Sequence, residues 1–133
     1  NGQSGGQQAR SMYVTLNGVT FTSYVKQALA GNASSVYEYV QTGQTNFEVS
    51  AAIVDDDTPA QFYAGSVIDI LDFSSSNKFT TLKAFSGVPR IGNNVVQFQS
   101  GLFRQNTAVT SITITWDFSL IAGSRFSLYG IKG

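Results

Sequence analysis

The sequence contains no cysteine and no histidine. Without imidazole or thiol there is no Ser-His-Asp triad, no cysteine nucleophile, no thiolate or imidazole zinc site and no haem ligation. Without cysteine there is also no disulfide framework, so stability must come from burial and hydrogen bonding in either redox compartment. Charge is scarce: 12% of residues, where an average domain has about 25%. Eight Lys and Arg balance eight Asp and Glu, which leaves no electrostatic footprint for a nucleic acid or an anionic membrane as partner. Such a surface has little colloidal repulsion and suits a chain that associates. No run approaches the roughly eighteen apolar residues of a membrane helix. No glycine-rich loop ending in Gly-Lys-Ser or Gly-Lys-Thr is present to cradle a phosphate.

What is present reads as β-structure. The 133 residues make one domain. Its opening, "NGQSGGQQAR", has no initiator Met, basic n-region or apolar h-region, so it does not read as a signal peptide. Residues 1–10 are expected to be a flexible segment, with a single β-sandwich over 11–133. Period-two alternation runs through almost all of the remainder. "SMYVTL" alternates Met12, Val14 and Leu16 with Tyr13 and Thr15. Asn17-Gly18 then predicts a type I′ hairpin into a strand with Val19, Phe21 and Val25 on one face and Lys26 on the other.

"SSVYEYV", "NFEVSAAIV", "FTTLKAF", "NVVQFQS" and "VTSITITWDF" continue the alternation. "GSVIDILDF" is apolar on both parities, as expected of a strand covered on both faces, at a sandwich centre or a subunit contact. "SRFSLYGI", the last such run, is expected to be an integral strand beside "TSITITW". About nine strands separated by Gly, Asn, Ser and Asp clusters predict an all-β fold: an antiparallel β-sandwich, jelly-roll-like. "VKQALAGNASS" is the one stretch that would also accept a helical turn, ending at Gly31.

Few residues carry chemistry. Carboxylate catalysis would need two acids across a scissile bond, drawn from Glu38, Glu48, Asp55, Asp56, Asp57, Asp69, Asp72 and Asp117. Asp69 and Asp72 are three apart, hence on opposite faces of a strand, and cannot form that pair by themselves. Asp55, Asp56 and Asp57 crowd hard oxygen ligands together as in a weak calcium loop, but they lack the spacing, the Gly and the distal Glu of an EF-hand. The simpler reading is a turn that Pro59 presets. Tyr37 and Tyr39 flank Glu38 on one face and are the candidate partner-contact residues. Trp116 shares a parity with Ile112 and Ile114 and is expected in the core. No catalytic, cofactor or metal residue is assigned.

The second half carries a resemblance. "SVIDILDFSSSNKFTTLKAFSG" and "VVQFQSGLFRQNTAVTSITITWDFSLIAGSRFSLYGIKG" resemble a β-rich virion structural protein family of marine and cyanobacterial tailed phages. The landmarks are Asn77-Lys78, Ser100-Gly101-Leu102, Thr110-Ser111-Ile112-Thr113 and Leu128-Tyr129-Gly130-Ile131, spread from Ser66 to Lys132. "MYVTLNG" is weakly similar to an earlier family segment. Phe103 stands where the family commonly has Trp, and "WDFSLIAG" falls in a loop the family varies. Members usually have further β sequence before this segment, so a truncated N-terminus is an expectation.

The resemblance implies a non-enzymatic virion protein on the particle surface, head or tail. It would be a capsid decoration or cement protein or a tail-fibre component. Its partners would be the major capsid protein or tail proteins, with copies of itself as a homo-oligomer, a trimer being one form. No cofactor is implied. Two other functions stay open: a host glycan-binding receptor module of a tail fibre, and a carboxylate-based polysaccharide-cleaving enzyme.

Overall fold

The structure, a computed structural model, describes residues 9–54, 63–88, 94–116, 120 and 122–131. Eight strands lie among them: β1 (Ala9–Leu16), β2 (Tyr24–Gly31), β3 (Val36–Gln44), β4 (Phe47–Val54), β5 (Gly65–Leu71), β6 (Thr80–Val88), β7 (Val95–Phe103) and β8 (Ile112–Trp116). The fold is all-β, with no helix among the described residues. The stretch that would accept a helical turn is β2. A three-stranded sheet, β4-β1-β8, packs on a five-stranded sheet, β3-β2-β7-β6-β5, and every pairing is antiparallel. Residues 1–8 lie outside the described residues, and β1 begins at Ala9, two residues before the expected start of the sandwich.

Alternation fixes what faces inward. Met12, Val14 and Leu16 of β1 and Phe47 and Val49 of β4 are fully buried against Tyr24, Leu82, Ala84 and Phe103 of the larger sheet. Tyr24 is anchored at both ends: its ring centroid lies 5.1 Å from that of Phe103, and its hydroxyl accepts the Leu16 N–H at 2.9 Å and donates to the Val19 carbonyl at 3.1 Å. Burial raises its phenol pKa above the ordinary value, partly offset by the Leu16 hydrogen bond.

Asn17 and Gly18 do take the positive φ of a type I′ turn, at 53° and 66°, and the Val19 N–H closes it onto the Leu16 carbonyl. The turn does not make the expected hairpin. β1 and β2 belong to different sheets, so it is a corner between them. The Asn17 side chain accounts for the difference, because it accepts the Thr110 N–H at 2.8 Å and donates to the Ala108 carbonyl at 2.9 Å. Those bonds tie the corner to the segment entering β8, and β8 takes the place beside β1 that a hairpin partner would have filled.

The segment after the corner is also out of phase with its expected reading. Phe21 is exposed and precedes the strand, and in β2 the buried row is Tyr24, Lys26, Ala28 and Ala30, with Val25 facing the other way. β5 is an edge strand and not a sandwich centre. Its Ile68 and Ile70 face the core half-buried, while Val67 and Leu71 stand exposed on the far side.

The expected ninth strand is absent among the described residues. Residues 122–131 join no ladder, and Leu128, Tyr129 and Ile131 are 84%, 83% and 89% exposed. The segment lies along an apolar groove of about 610 Å³ whose walls include Met12, Val14, Ile68, Ile70 and Ile114, and Phe126 stacks on Trp116 at 6.0 Å. Trp116 is on the core-facing parity, opposite Met12, but β8 ends the smaller sheet, so the ring is 38% exposed rather than buried.

Removing residues 125–131 is therefore expected to leave a cooperatively folding sandwich. The loss is the Trp116–Phe126 stack, about 0.5–1.5 kcal/mol, together with partial cover of the groove, for a fall in Tm of several degrees. Trp116 is the single tryptophan, so its emission should shift to the red in the truncated chain. A truncated chain without a cooperative thermal transition would show that the segment is integral to the fold.

Candidate functional site

Two constellations stand out, one between the sheets and one on the outside. Between the sheets, Lys26 of β2 is 1% exposed and donates from Nζ to Glu48 Oε2 of β4 at 2.8 Å. Glu48 Oε1 accepts the Ser11 hydroxyl at 2.6 Å and the Ser50 hydroxyl at 3.2 Å. The Lys26 ammonium also lies 5.0 Å from the centroid of the Tyr39 ring. The Tyr39 hydroxyl accepts Gln97 Nε2 at 2.6 Å and lies 3.3 Å from Ser50 Oγ.

Burial alone would push the Glu48 carboxyl up. Hydrogen bonds from Lys26 and Ser11, the charge of Lys26 and the Ser50 hydroxyl bring it below the ordinary carboxylate value. Every polar group named is turned to another in the cluster. The arrangement pins one sheet to the other. Beside it, both amide atoms of buried Gln99 find no hydrogen-bond partner among the described residues.

The second constellation is the outer face of the five-stranded sheet. Cross-strand pairing lays its side chains in rows perpendicular to the strands. One row runs Glu38, Leu29, Phe98, Phe85, Val67 from β3 to β5, through the pairs Leu29–Glu38, Leu29–Phe98, Phe85–Phe98 and Val67–Phe85. The row on one side of it is Val36, Gly31, Val96, Gly87, Gly65, and on the other Val40, Gln27, Ser100, Lys83, Asp69. Leu29, Phe98, Phe85 and Val67 are 55%, 46%, 55% and 64% exposed. Val36, Val40 and Val96 stand exposed around them.

An antiparallel sheet that faces water on one side normally turns polar residues outward. This one turns out a continuous apolar band four strands wide, larger than scattered exposed hydrophobics account for. Its charges, Glu38 at one side and Lys83 with Asp69 at the other, fringe the band and leave its centre apolar.

The residues singled out by sequence fall differently. Tyr37 and Tyr39 pair with Ala30 and Ala28 and so share the parity of the buried row, on the opposite side from Leu29 and Phe98. Tyr37 is exposed and Tyr39 is half-buried in the polar cluster. Asp55, Asp56, Asp57 and Asp117 lie outside the described residues. Glu48 is held by Lys26, Asp69 lies on the outer face opposite Lys83, and Asp72 is in a turn at φ 58°, so the described acids do not converge. Among the described residues no three Asp or Glu gather where a metal ion could be held. Two features escaped the sequence reading: Lys26, hidden by the inverted phase of β2, and the outer band, whose members come from four strands and line up only through their register.

Comparison of the chain with protein-family models finds no match, and neither a curated protein nor a solved structure matches it.

Proposed function

We propose that this chain is a non-enzymatic structural subunit of a bacteriophage virion, working through subunit–subunit contacts on the head or tail surface. The observation that carries the reading is the apolar band on the outer face of the five-stranded sheet. Such a face is costly to leave in water, at about 25 cal/mol per Å² of apolar surface, and its central row of Leu29, Phe98, Phe85 and Val67 has the apolar character of an interface core with a polar rim. The resemblance of the Ser66–Lys132 region to phage virion proteins supplies the setting, and the self-contained polar cluster fits a subunit whose buried charges serve stability. A decoration or cement role on the capsid agrees with a small sandwich without coiled-coil heptads.

A second reading has its own support. Phe21, Tyr63, Phe73, Phe79 and Tyr129 are exposed off the strands, where a glycan-binding module of a tail fibre would present aromatic rings.

Gold-labelled antibody against the chain, imaged on purified particles of the phage that encodes it, is expected to decorate the head or the tail in a regular pattern. Label confined to fibre tips, with retention on a glycan array, would favour the second reading. No label on any particle would overturn both.

A further inference from the structure

We propose that the occupant of the outer face is a second copy of this chain, packed sheet on sheet about a twofold axis parallel to β7. The inference rests on the subunit reading and names the partner that reading leaves open. Five strands about 4.8 Å apart, over about seven residues at ~3.3 Å each, give a face of roughly 550 Å². Two such faces bury about 1,100 Å², which clears the roughly 1,000 Å² that a specific interface needs.

Register argues for a copy of the same face. β7 is the middle strand of five, so a twofold axis along it sets β7 on β7, β2 on β6 and β3 on β5 while keeping each row opposite itself. Val36 of one copy then stands over the bare Gly65 of the other, where nothing lies within 4 Å of a built Cβ. Leu29 stands over Phe85, and the two Phe98 rings meet at the axis.

Charge argues for this axis over the alternative. About this axis Glu38 stands over Val67 of the partner, diagonal to the Asp69–Lys83 pair, and no carboxylate is stacked directly on another. A twofold axis perpendicular to the strands would instead stack β3 on β3 and set the two Glu38 carboxylates on the same side, where like charges repel. Aligned packing of this kind places sheets about 10 Å apart.

The test is the mass and geometry of the full chain in solution. Sedimentation equilibrium is expected to give twice the 14.3 kDa chain mass. Phe98→Asp should weaken association about a hundredfold with an unchanged circular dichroism spectrum.

Because the chain has no cysteine, Ser100→Cys on β7 supplies a unique thiol beside the axis. A bismaleimide with a reach of about 10 Å should link it to its own copy. Thr113→Cys, on the outer side of the smaller sheet, should stay unlinked. A monomer at high concentration, a trimer, or association indifferent to Phe98→Asp would overturn the twofold dimer. Monomers that still label particles would retain the virion reading with a different partner. A dimer that labels no particle would retain the dimer and remove the virion setting.

Discussion

Glu48→Gln is expected to lower the stability of the folded chain by about 3 kcal/mol, measured by urea denaturation at neutral pH. The substitution removes the only charge that an ion-pair geometry sets against Lys26 among the described residues, and Lys26 is 1% exposed. A buried ammonium without its carboxylate pays the desolvation cost with little left to offset it. The Glu48 side chain is 24% exposed, which places the effect at the lower end of the range for broken buried pairs. The companion variant Lys26→Met with Glu48→Gln should recover much of the loss, since no uncompensated charge then remains. If the single variant were as stable as the wild type, the cluster would not act as a pin.

The same pair makes a pH prediction. The folded Glu48 carboxyl lies below its ordinary value, with burial opposing and the Lys26 and Ser11 hydrogen bonds prevailing. Its contribution is therefore fully present above the unfolded-state carboxylate pKa and is lost as pH falls through the depressed folded value. Acid unfolding of the wild type should steepen below the ordinary carboxylate range, and in Glu48→Gln that steepening should be reduced. An identical acid profile for both chains would show that Glu48 is not the group responsible.

Gly101→Val is expected to be more damaging still, at about 3 kcal/mol or more, with loss of soluble yield as the coarse readout. A Cβ built at Gly101 would meet Phe47 Cε2 at 2.6 Å and Cδ2 at 2.9 Å, and would also run into the Val25 carbonyl oxygen. Phe47 is fully buried and crosses from the smaller sheet to lie on this spot. The glycine thus lets the two sheets approach where the buried Phe47 ring crosses between them. The ring has some freedom to move and the backbone carbonyl has little, so Phe47→Leu should rescue Gly101→Ala only in part. Gly130→Ala, with open space around its Cβ and off the sheets, is the control and should cost under 1 kcal/mol. A Gly101→Val chain as stable as the control would mean that the sheets separate here without penalty.

Gly101 also shows how far local pattern reaches. As part of Ser100-Gly101-Leu102 it was one landmark of the resemblance, but nothing local says why a side chain is excluded. The reason lies in Phe47, more than fifty residues away in the chain and on the other sheet. Lys26 makes the same point in reverse. Alternation from Val19 through Phe21 to Val25 put the lysine outside, because an apolar count favours that phase. The observed phase buries Tyr24, Ala28 and Ala30 with Lys26, and it is tenable because β4 delivers Glu48 to within 2.8 Å of the ammonium.

By itself the sequence determined the all-β class, the positions of seven of the eight described strands to within a few residues, the core-facing parity of β1, β4 and β8, the positive-φ turn at Asn17-Gly18 and the exclusion of thiol and imidazole chemistry. These follow from period two and from residue types, which are local properties. Only the tertiary structure decided which strand lies beside which. It made the Asn17 turn a corner, β5 an edge, the last residues a segment on a groove, and Leu29, Phe98, Phe85 and Val67 a single band. Period two specifies a strand's two faces but says nothing of its neighbours. Those are chosen by hydrogen-bond ladders between distant segments, such as β1 with β8, and by which faces the opposing sheet is wide enough to cover.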